Sequence, residues 1–154
     1  MIHIKKGDIL LINYKYDIIS WLIRCICHSY WNHAALVINN NELIEVTKFG
    51  GLKITKVKKY YNKLLYRIKF YDTNLCEKEL DKVINCALYL KKNKPNTNWF
   101  INGILVLLNK SEKMSGYTCS GFVATCFAKI GFYFNKYKNP KVIFPEDINR
   151  YFNG

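Results

Sequence analysis

The sequence predicts an α+β fold in which a central antiparallel sheet, or a partial barrel, packs against a helix that begins at Cys119. Two observations lead to this prediction. Segments typical of strands follow one another across short turns in the first half of the chain, as antiparallel strands do. Apolar residues at helical spacing dominate the second half.

The first two elements are a strand and a short helix. Residues 9–14 form an apolar run after Gly7 and Asp8, a pattern typical of a strand. Asp17 suits an N-cap, and the apolar residues after it predict a short, well-buried helix that ends near His28 or Ser29.

Residues 32–38 and 42–46 are predicted to pair as a hairpin whose loop is formed by the three asparagines at 39–41. Asparagine tolerates the left-handed backbone region, which gives the loop a physical basis.

A three-residue loop fixes which side chains share a face. It places Ile38 opposite Glu42 and Ala35 opposite Glu45. His33 and Glu45 are then diagonal neighbours on one face, with backbones roughly 7–8 Å apart. A loop of two or four residues would place them on opposite faces.

The sheet is expected to continue with lysine-rich strands at 52–57 and 65–71. Asn74 and Glu77 resemble a capping box, and apolar residues at helical spacing predict a helix from there to about Lys91.

The final elements are predicted to be helical. Pro95 and its neighbours end the preceding helix, and residues 99–108 form another. Thr118 suits the N-cap of the helix that carries Cys119, and Gly131 suits its C-terminal stop.

The length of 154 residues, half of them apolar, predicts a single domain over residues 1–154. Six cysteines are present, but no signal peptide is recognisable, so we expect free thiols in the cytoplasm or another reducing compartment. Their spacing matches no usual zinc motif, and we expect neither a metal nor an organic cofactor.

The net charge of +13 is unevenly distributed. Basic residues without acidic neighbours form a stripe that suits an anionic surface: Lys48, Lys53, Lys56, Lys58, Lys59, Lys63, Arg67 and Lys69. Nucleic acid is not favoured as a partner, because phosphate and base recognition prefers arginine and the chain has only three. A compositional bias toward lysine explains the stripe equally well.

Two apolar runs, at 18–23 and 99–108, are shorter than the roughly 20 residues that cross a bilayer. We expect no transmembrane helix. Buried core is the first interpretation of both runs, and a surface that dips into lipid is the alternative.

Cys119 is the first candidate for chemistry, because a helix N-terminus stabilises a thiolate and lowers the cysteine pKa. A cysteine hydrolase also needs an imidazole and a polar group that orients it, and His33 and Glu45 supply one of each. Taken singly, each of the three residues is better explained by a structural role, and it is their joint placement that favours a catalytic site.

Several stretches carry a resemblance to a known superfamily. They are residues 31–37 (WNHAALV), 43–46 (LIEV) and 117–123 (YTCSGFV), with 7–10 (GDIL) and 144–148 (FPEDI) at the two ends. This pattern resembles the circularly permuted NlpC-like papain-fold superfamily. Histidine precedes cysteine, as in the permuted branch that includes YiiX-like proteins, a poxvirus family and, more distantly, lecithin retinol acyltransferases.

The resemblance implies a papain-like fold with Cys119 as nucleophile, His33 as general base and acid, and Glu45 as the orienting residue. It also implies a thioester acyl-enzyme. For the oxyanion of the tetrahedral intermediates that form and break this thioester, the donor candidates are the Cys119 backbone N–H and, more weakly, the Tyr117 hydroxyl. Asn32 stands where a small residue is expected, and Thr118 replaces the Asp of unpermuted members. Neither departure removes a catalytic atom.

Three functions follow as hypotheses. The first is a thiol hydrolase, an amidase or cysteine peptidase, that cleaves an amide or peptide bond. The second is a lipid acyl hydrolase or acyltransferase, docked on a membrane through the apolar runs and the basic stripe. The third is a non-catalytic relative that holds a ligand.

Overall fold

The computed structural model describes residues 4–48, 50–93 and 99–154. The strands are β1 (Ile9–Tyr14), β2 (His33–Asn39), β3 (Glu42–Thr47), β4 (Gly51–Lys56) and β5 (Tyr66–Tyr71). The α-helices are α1 (Ile18–Cys27), α2 (Glu77–Asn93), α3 (Trp99–Leu107), α4 (Cys119–Ala128) and α5 (Pro145–Asn153). A 3-10 helix, Val57–Tyr61, connects β4 to the segment before β5.

The five strands form one antiparallel sheet in the order β4-β3-β2-β1-β5. Because side chains alternate along a strand, the sheet contributes to two separate apolar clusters. The larger cluster lies where α4 packs against β2 and β3, with α2 against α4. The smaller one lies on the other face and includes Leu10, Ala35, Leu43 and Tyr60. The predicted α+β fold, with the Cys119 helix against an antiparallel sheet, is confirmed.

The hairpin between β2 and β3 differs from the prediction in its loop. Asn39 pairs with Glu42, so the loop has two residues rather than three. The Asn39 side chain closes it, because its Oδ1 accepts hydrogen bonds from the N–H groups of Asn41 and Glu42 at 2.9 Å each. The predicted pairing of Ile38 with Glu42 is therefore wrong.

A β-bulge at Ile38 compensates for the shorter loop. Val37 pairs with Leu43 although Asn39 pairs with Glu42, which leaves Ile38 as the extra residue on its strand. The bulge restores the predicted register further along, and this register places Ala35 opposite Glu45. His33 and Glu45 consequently share the face of the smaller cluster.

Two predicted helix caps are present. The Asp17 side chain accepts a hydrogen bond from the Ser20 N–H at the start of α1, and Thr118 caps α4 in the same way. The prediction that α1 is well buried is wrong for two of its residues, since Ile18 is 82% exposed and Trp21 is 54% exposed.

The capping box predicted from Asn74 and Glu77 is wrong. Asn74 has a left-handed backbone with φ of 50°, and α2 starts later, at Glu77. The carboxylate that bonds back belongs to Glu79, which accepts from the Cys76 N–H at 3.1 Å. Pro95, predicted to end this helix, lies outside the described residues.

The two apolar runs have mixed exposure. In α3, Asn102 and Val106 are buried, whereas Ile101 and Ile104 are exposed, as is Leu108 just beyond the helix. Across residues 4–48, 50–93 and 99–154, every helix falls short of the length and apolar character needed to cross a membrane.

Candidate active site

The nucleophile candidate stands at the first position of α4. Thr118 is the N-cap, and its Oγ1 accepts from the Gly121 N–H at 3.0 Å, which leaves Cys119 in the first turn. The next side chain anchors the turn, because the Ser120 hydroxyl donates to the carbonyl of Ile143 at 2.6 Å. Cys119 is buried, with 8% of the residue exposed.

The surroundings of Cys119 favour a thiolate. Burial by itself would raise the pKa of Cys119, but a hydrogen bond with His33 and the positive charge of that ring lower it. The backbone N–H groups of Ala34 and Ser120 also hydrogen-bond to the sulfur and lower it further. The net result is a thiol pKa below its usual value of 9.0.

His33 connects the sulfur to Glu45. The His33 Nε2 lies 2.6 Å from the Glu45 Oε2, which leaves Nδ1 as the ring nitrogen available to Cys119. Burial tends to lower the pKa of His33, but Cys119 and Glu45 outweigh it and raise this pKa to about 9. The directions of these shifts favour a protonated imidazole between Cys119 and the Glu45 carboxylate.

Glu45 is a buried carboxylate, with a side chain that is 1% exposed. Burial would raise the pKa of Glu45, but hydrogen bonds from His33 and Tyr60 and the charge of His33 lower it to about 2. Its second oxygen, Oε1, lies 3.6 Å from the Lys59 Nζ.

Two tyrosines that sequence reasoning missed complete this network. The Tyr60 hydroxyl donates to the Glu45 Oε2 at 2.6 Å, and the Tyr14 hydroxyl lies 3.1 Å from that of Tyr60. Tyr14 also meets the His33 ring edge-on, with centroids 5.6 Å apart. Burial, together with Tyr14 and Glu45, raises the pKa of Tyr60, so its phenol remains a hydrogen-bond donor.

No local pattern in the sequence marks Tyr60. It lies within a lysine-rich stretch. It reaches Glu45 because the 3-10 helix Val57–Tyr61 packs against the sheet face that carries the smaller cluster. Asn32 has a structural role, since its Oδ1 accepts a hydrogen bond from the Tyr14 N–H at 3.1 Å. This bond continues the ladder between β1 and β2 beyond His33.

Tyr117, the weaker oxyanion candidate, lies in the larger apolar cluster, which also includes Cys119. Tyr117 is buried in the larger cluster with its ring edge-on to Phe122, and its backbone carbonyl accepts from the Asn102 amide at 3.3 Å. Burial and the sulfur atoms of Cys126 and Cys86 raise the pKa of Tyr117.

A cavity of about 480 Å³ opens beside the network. His33 and Glu45 form part of its wall, together with Tyr14, Ser20, Asn32, Val46, Thr47, Lys48, Gly50, Lys53, Thr55, Lys59 and Tyr66. Among the described residues, no group of three or more His, Cys, Asp or Glu side chains is placed to hold a metal ion.

The predicted basic stripe is divided among three cavities. Lys48, Lys53 and Lys59 line the cavity beside His33. Lys56 and Lys58 line a second cavity at the β2–β3 loop, and Lys63 and Arg67 a third. Lys69 lines none of these three cavities, and its Nζ donates to the Asn153 Oδ1 at 3.1 Å. Position in the sequence alone therefore did not reveal which lysines face the candidate site.

A cysteine at the start of a helix, facing a histidine on the first strand of a hairpin that precedes it in the chain, defines a class of enzyme. It is the class of papain-like enzymes with a circularly permuted order of elements.

The chain belongs to the permuted papain-like amidase enzyme family, YaeF/YiiX, C92 family, whose model matches residues 3–147. This membership confirms the resemblance predicted from the sequence and makes the protein a papain-like hydrolase in general terms. A comparison with curated proteins found no match.

Proposed function

We propose that this protein hydrolyses an amide or peptide bond through a thioester intermediate on Cys119. The observation that carries the proposal is the continuous chain from the Cys119 thiol through His33 to Glu45, with 2.6 Å between the His33 Nε2 and the Glu45 Oε2. Membership in an amidase family supports the choice of an amide over other bonds.

In the acylation step, the Cys119 thiolate attacks the carbonyl carbon of the substrate and forms a tetrahedral oxyanion. Collapse of this intermediate breaks the C–N bond, and the His33 imidazolium gives its proton to the leaving amine. The products are a thioester on Cys119 and a free amine. Glu45 holds the imidazole ring in orientation and stabilises its charged form.

In the deacylation step, neutral His33 takes a proton from water, and the resulting hydroxide attacks the thioester carbon. The C–S bond breaks, the acid leaves, and the thiolate–imidazolium pair is restored. The Cys119 backbone N–H is the candidate oxyanion donor, because among the described residues it has no acceptor of its own. This chemistry needs a reduced thiol and fits a reducing compartment such as the cytoplasm.

The test is intact-mass analysis after incubation with a panel of amide and ester substrates. We expect an acyl adduct that maps to Cys119 and disappears in Cys119→Ala. The matched control is Cys126→Ala, which removes a buried thiol from the same helix and should leave the adduct in place.

A protein that forms no adduct and performs its function equally well as Cys119→Ala would contradict the hydrolase. That result would identify the non-catalytic, ligand-binding alternative instead.

A lipid acyl substrate is the second candidate, and the exposed side chains of α1 favour it. Ile18 and Trp21 point outward directly after Asp17, which is ion-paired with Lys48 on the cavity wall. An apolar surface beside a basic cavity suits an anionic bilayer.

Flotation with anionic vesicles tests this candidate. Wild type should bind and Trp21→Ser should bind less, whereas Tyr137→Ser, at another exposed aromatic residue, should bind like wild type. Absence of binding by wild type would remove the lipid candidate and leave the soluble amidase.

A further inference from the structure

We infer that the cavity beside His33 binds an anionic group of the substrate, a carboxylate or a phosphate. This group belongs to the same molecule as the scissile bond. This inference rests on the proposed function and adds the substrate class. The volume of about 480 Å³ is sufficient for a side chain of amino-acid size that ends in such a group.

The charge on the cavity wall is predominantly positive. Its described residues include three lysines, Lys48, Lys53 and Lys59, and one carboxylate, Glu45. That carboxylate is already engaged by His33 and Tyr60 at 2.6 Å each. It orients the imidazole, and its Oε1 lies 3.6 Å from the Lys59 Nζ, while Lys48 is ion-paired with Asp17. Lys53 is the lysine of this wall whose charge no carboxylate of the described residues neutralises.

Lys53 provides the most specific observation. It lies directly opposite Glu45 in the β3–β4 pairing, so both side chains leave the same face of the sheet. Among the described residues the Lys53 ammonium nevertheless makes no ion pair with Glu45 and lies beside Gly50, where a Cβ on that residue would come within 2.3 Å of the Lys53 Nζ. Within the described part of the chain, no carboxylate oxygen lies within ion-pairing distance of Lys53.

Lys59 reinforces the same wall from the other side. Its Nζ lies 3.6 Å from the Glu45 Oε1 and 3.3 Å from the Tyr60 hydroxyl, and the side chain is 44% exposed. An anion that entered the cavity would find the Lys53 and Lys59 ammonium groups on its wall, next to the protonated His33. A cationic substrate group would be repelled by both lysines, and a neutral acceptor would gain less from them than an anion does.

The test uses alkylation of Cys119 by chloroacetamide probes on spacers of increasing length. Each probe ends either in a carboxylate or in a matched carboxamide. The measured quantity is the second-order rate constant of the carboxylate probe divided by that of the carboxamide probe, at low salt. Peptide mapping assigns the alkylated site. We expect a ratio of about ten at one spacer length, which decreases as salt is added.

Two variants make the result specific. Lys53→Gln should lower the ratio about fivefold, because it removes an ammonium without removing the side chain. Lys58→Gln is the matched control: it removes a neighbouring exposed lysine that lines a different cavity, and it should keep the wild-type ratio.

The outcomes separate this inference from the proposed function. A ratio near one in wild type, or an equal decrease in both variants, would overturn the anion site while Cys119 remained reactive. Failure of both probes to alkylate Cys119 faster than in His33→Ala would instead contradict the activated thiol.

Competition distinguishes the two sources of the anion. We expect soluble inorganic phosphate to lower the ratio, which supports a site for a soluble anionic substrate. Protection of Cys119 by vesicles containing phosphatidylglycerol, with no effect of phosphate, would overturn the cavity site in favour of a membrane surface.

Discussion

At the scale of single residues, the lowered pKa of Cys119 gives the clearest expectation. Iodoacetamide should alkylate Cys119 at mildly acidic pH faster than it alkylates Cys126, whose pKa is raised. The rate should fall as the pH falls through the thiol pKa, because the thiolate takes up a proton. Mass spectrometry of samples quenched at successive times, with peptide mapping, measures the alkylation rates of both cysteines in one reaction.

His33→Ala is the matched variant for this experiment. Without the imidazolium, burial raises the thiol pKa, and the alkylation profile should shift to higher pH. A profile that stayed in place would mean that His33 does not activate Cys119.

We expect His33 to set the alkaline limit of turnover. Its pKa of about 9 means that the ring loses its proton as the pH rises through that value, and the leaving amine then lacks its acid. We expect kcat for an amide substrate to decline above pH 9. An ester, whose leaving group needs less protonation, should decline less, and equal declines would contradict the role of His33 as acid.

Tyr60→Phe should weaken the site through Glu45. The substitution removes the phenol that donates to the Glu45 Oε2 at 2.6 Å and leaves part of a buried carboxylate without its donor. We expect a loss of about 1–3 kcal/mol in the free energy of unfolding. The pKa of Glu45 should rise, because one of the hydrogen bonds that lower it is gone.

Urea unfolding and an NMR titration of a side-chain-labelled Glu45 measure these two effects. Tyr61→Phe is the control, since Tyr61 is half exposed and adjacent in sequence. Equal effects of the two substitutions would contradict a specific role for the Tyr60 hydroxyl.

The sequence could predict where Cys119, His33 and Glu45 lie in the fold, because each follows a local pattern: a helix start, a strand and a hairpin. Tyr60 could not be predicted in this way. Its contact with Glu45 depends on how a 3-10 helix folds under the sheet, and this is a property of tertiary packing. The same holds for Lys53, whose position over Gly50 follows from a side-chain conformation rather than from spacing.

At the scale of elements, Gly121 determines how closely α4 approaches the segment before α5. A Cβ on Gly121 would lie 2.4 Å from the backbone carbonyl oxygen of Lys141, which cannot move as a flexible side chain can. We expect Gly121→Ala to cost about 1–3 kcal/mol of unfolding free energy and to displace the first turn of α4. Slower alkylation of Cys119 would report that displacement.

Gly103→Ala provides the comparison in another helix. Nothing lies within 4 Å of the corresponding Cβ in α3, so alanine should be neutral or stabilise by about 0.5–1 kcal/mol. Thermal unfolding of both variants tests the pair. A Gly121→Ala protein as stable as wild type would show that the two segments can separate without cost.

The elements themselves were largely predictable, because strong apolar patterns and good caps such as Asp17 and Thr118 act locally. The wrong predictions concern element ends at which a side-chain oxygen accepts a hydrogen bond from a backbone N–H group. Asn39 closes the hairpin one residue early, and Glu79 rather than Glu77 bonds back to the start of α2. Sequence patterns locate such ends only to within a few residues.

At the scale of the whole molecule, Glu45 links the site to acid stability. A pKa of about 2 in the folded state, against a usual value of 4.5, means that this carboxylate stabilises the fold above pH 4.5. The contribution is lost as the pH falls from 4.5 through 2. Lowering the pH also protonates the other carboxylates and increases a net charge that is already +13.

Urea unfolding of wild type and Glu45→Gln between pH 6 and pH 3 tests this link. The difference in free energy of unfolding between the two proteins should shrink as the pH falls. Wild type then loses the stabilising contribution of the ionised Glu45, which the variant lacks at every pH. A constant difference would mean that Glu45 is not an ionised partner of His33 in the folded protein.

The extra residue at Ile38 has a consequence for how this hairpin can evolve. Side chains alternate between faces, so a residue inserted or deleted between His33 and Val37, or between Leu43 and Glu45, would turn the carboxylate away from the imidazole unless a further bulge absorbed it. Between Val37 and Leu43 the bulge and the loop can each change by one residue while these strand pairs are kept. Among relatives that retain both groups, we therefore expect differences in the histidine-to-carboxylate spacing to fall at the hairpin tip.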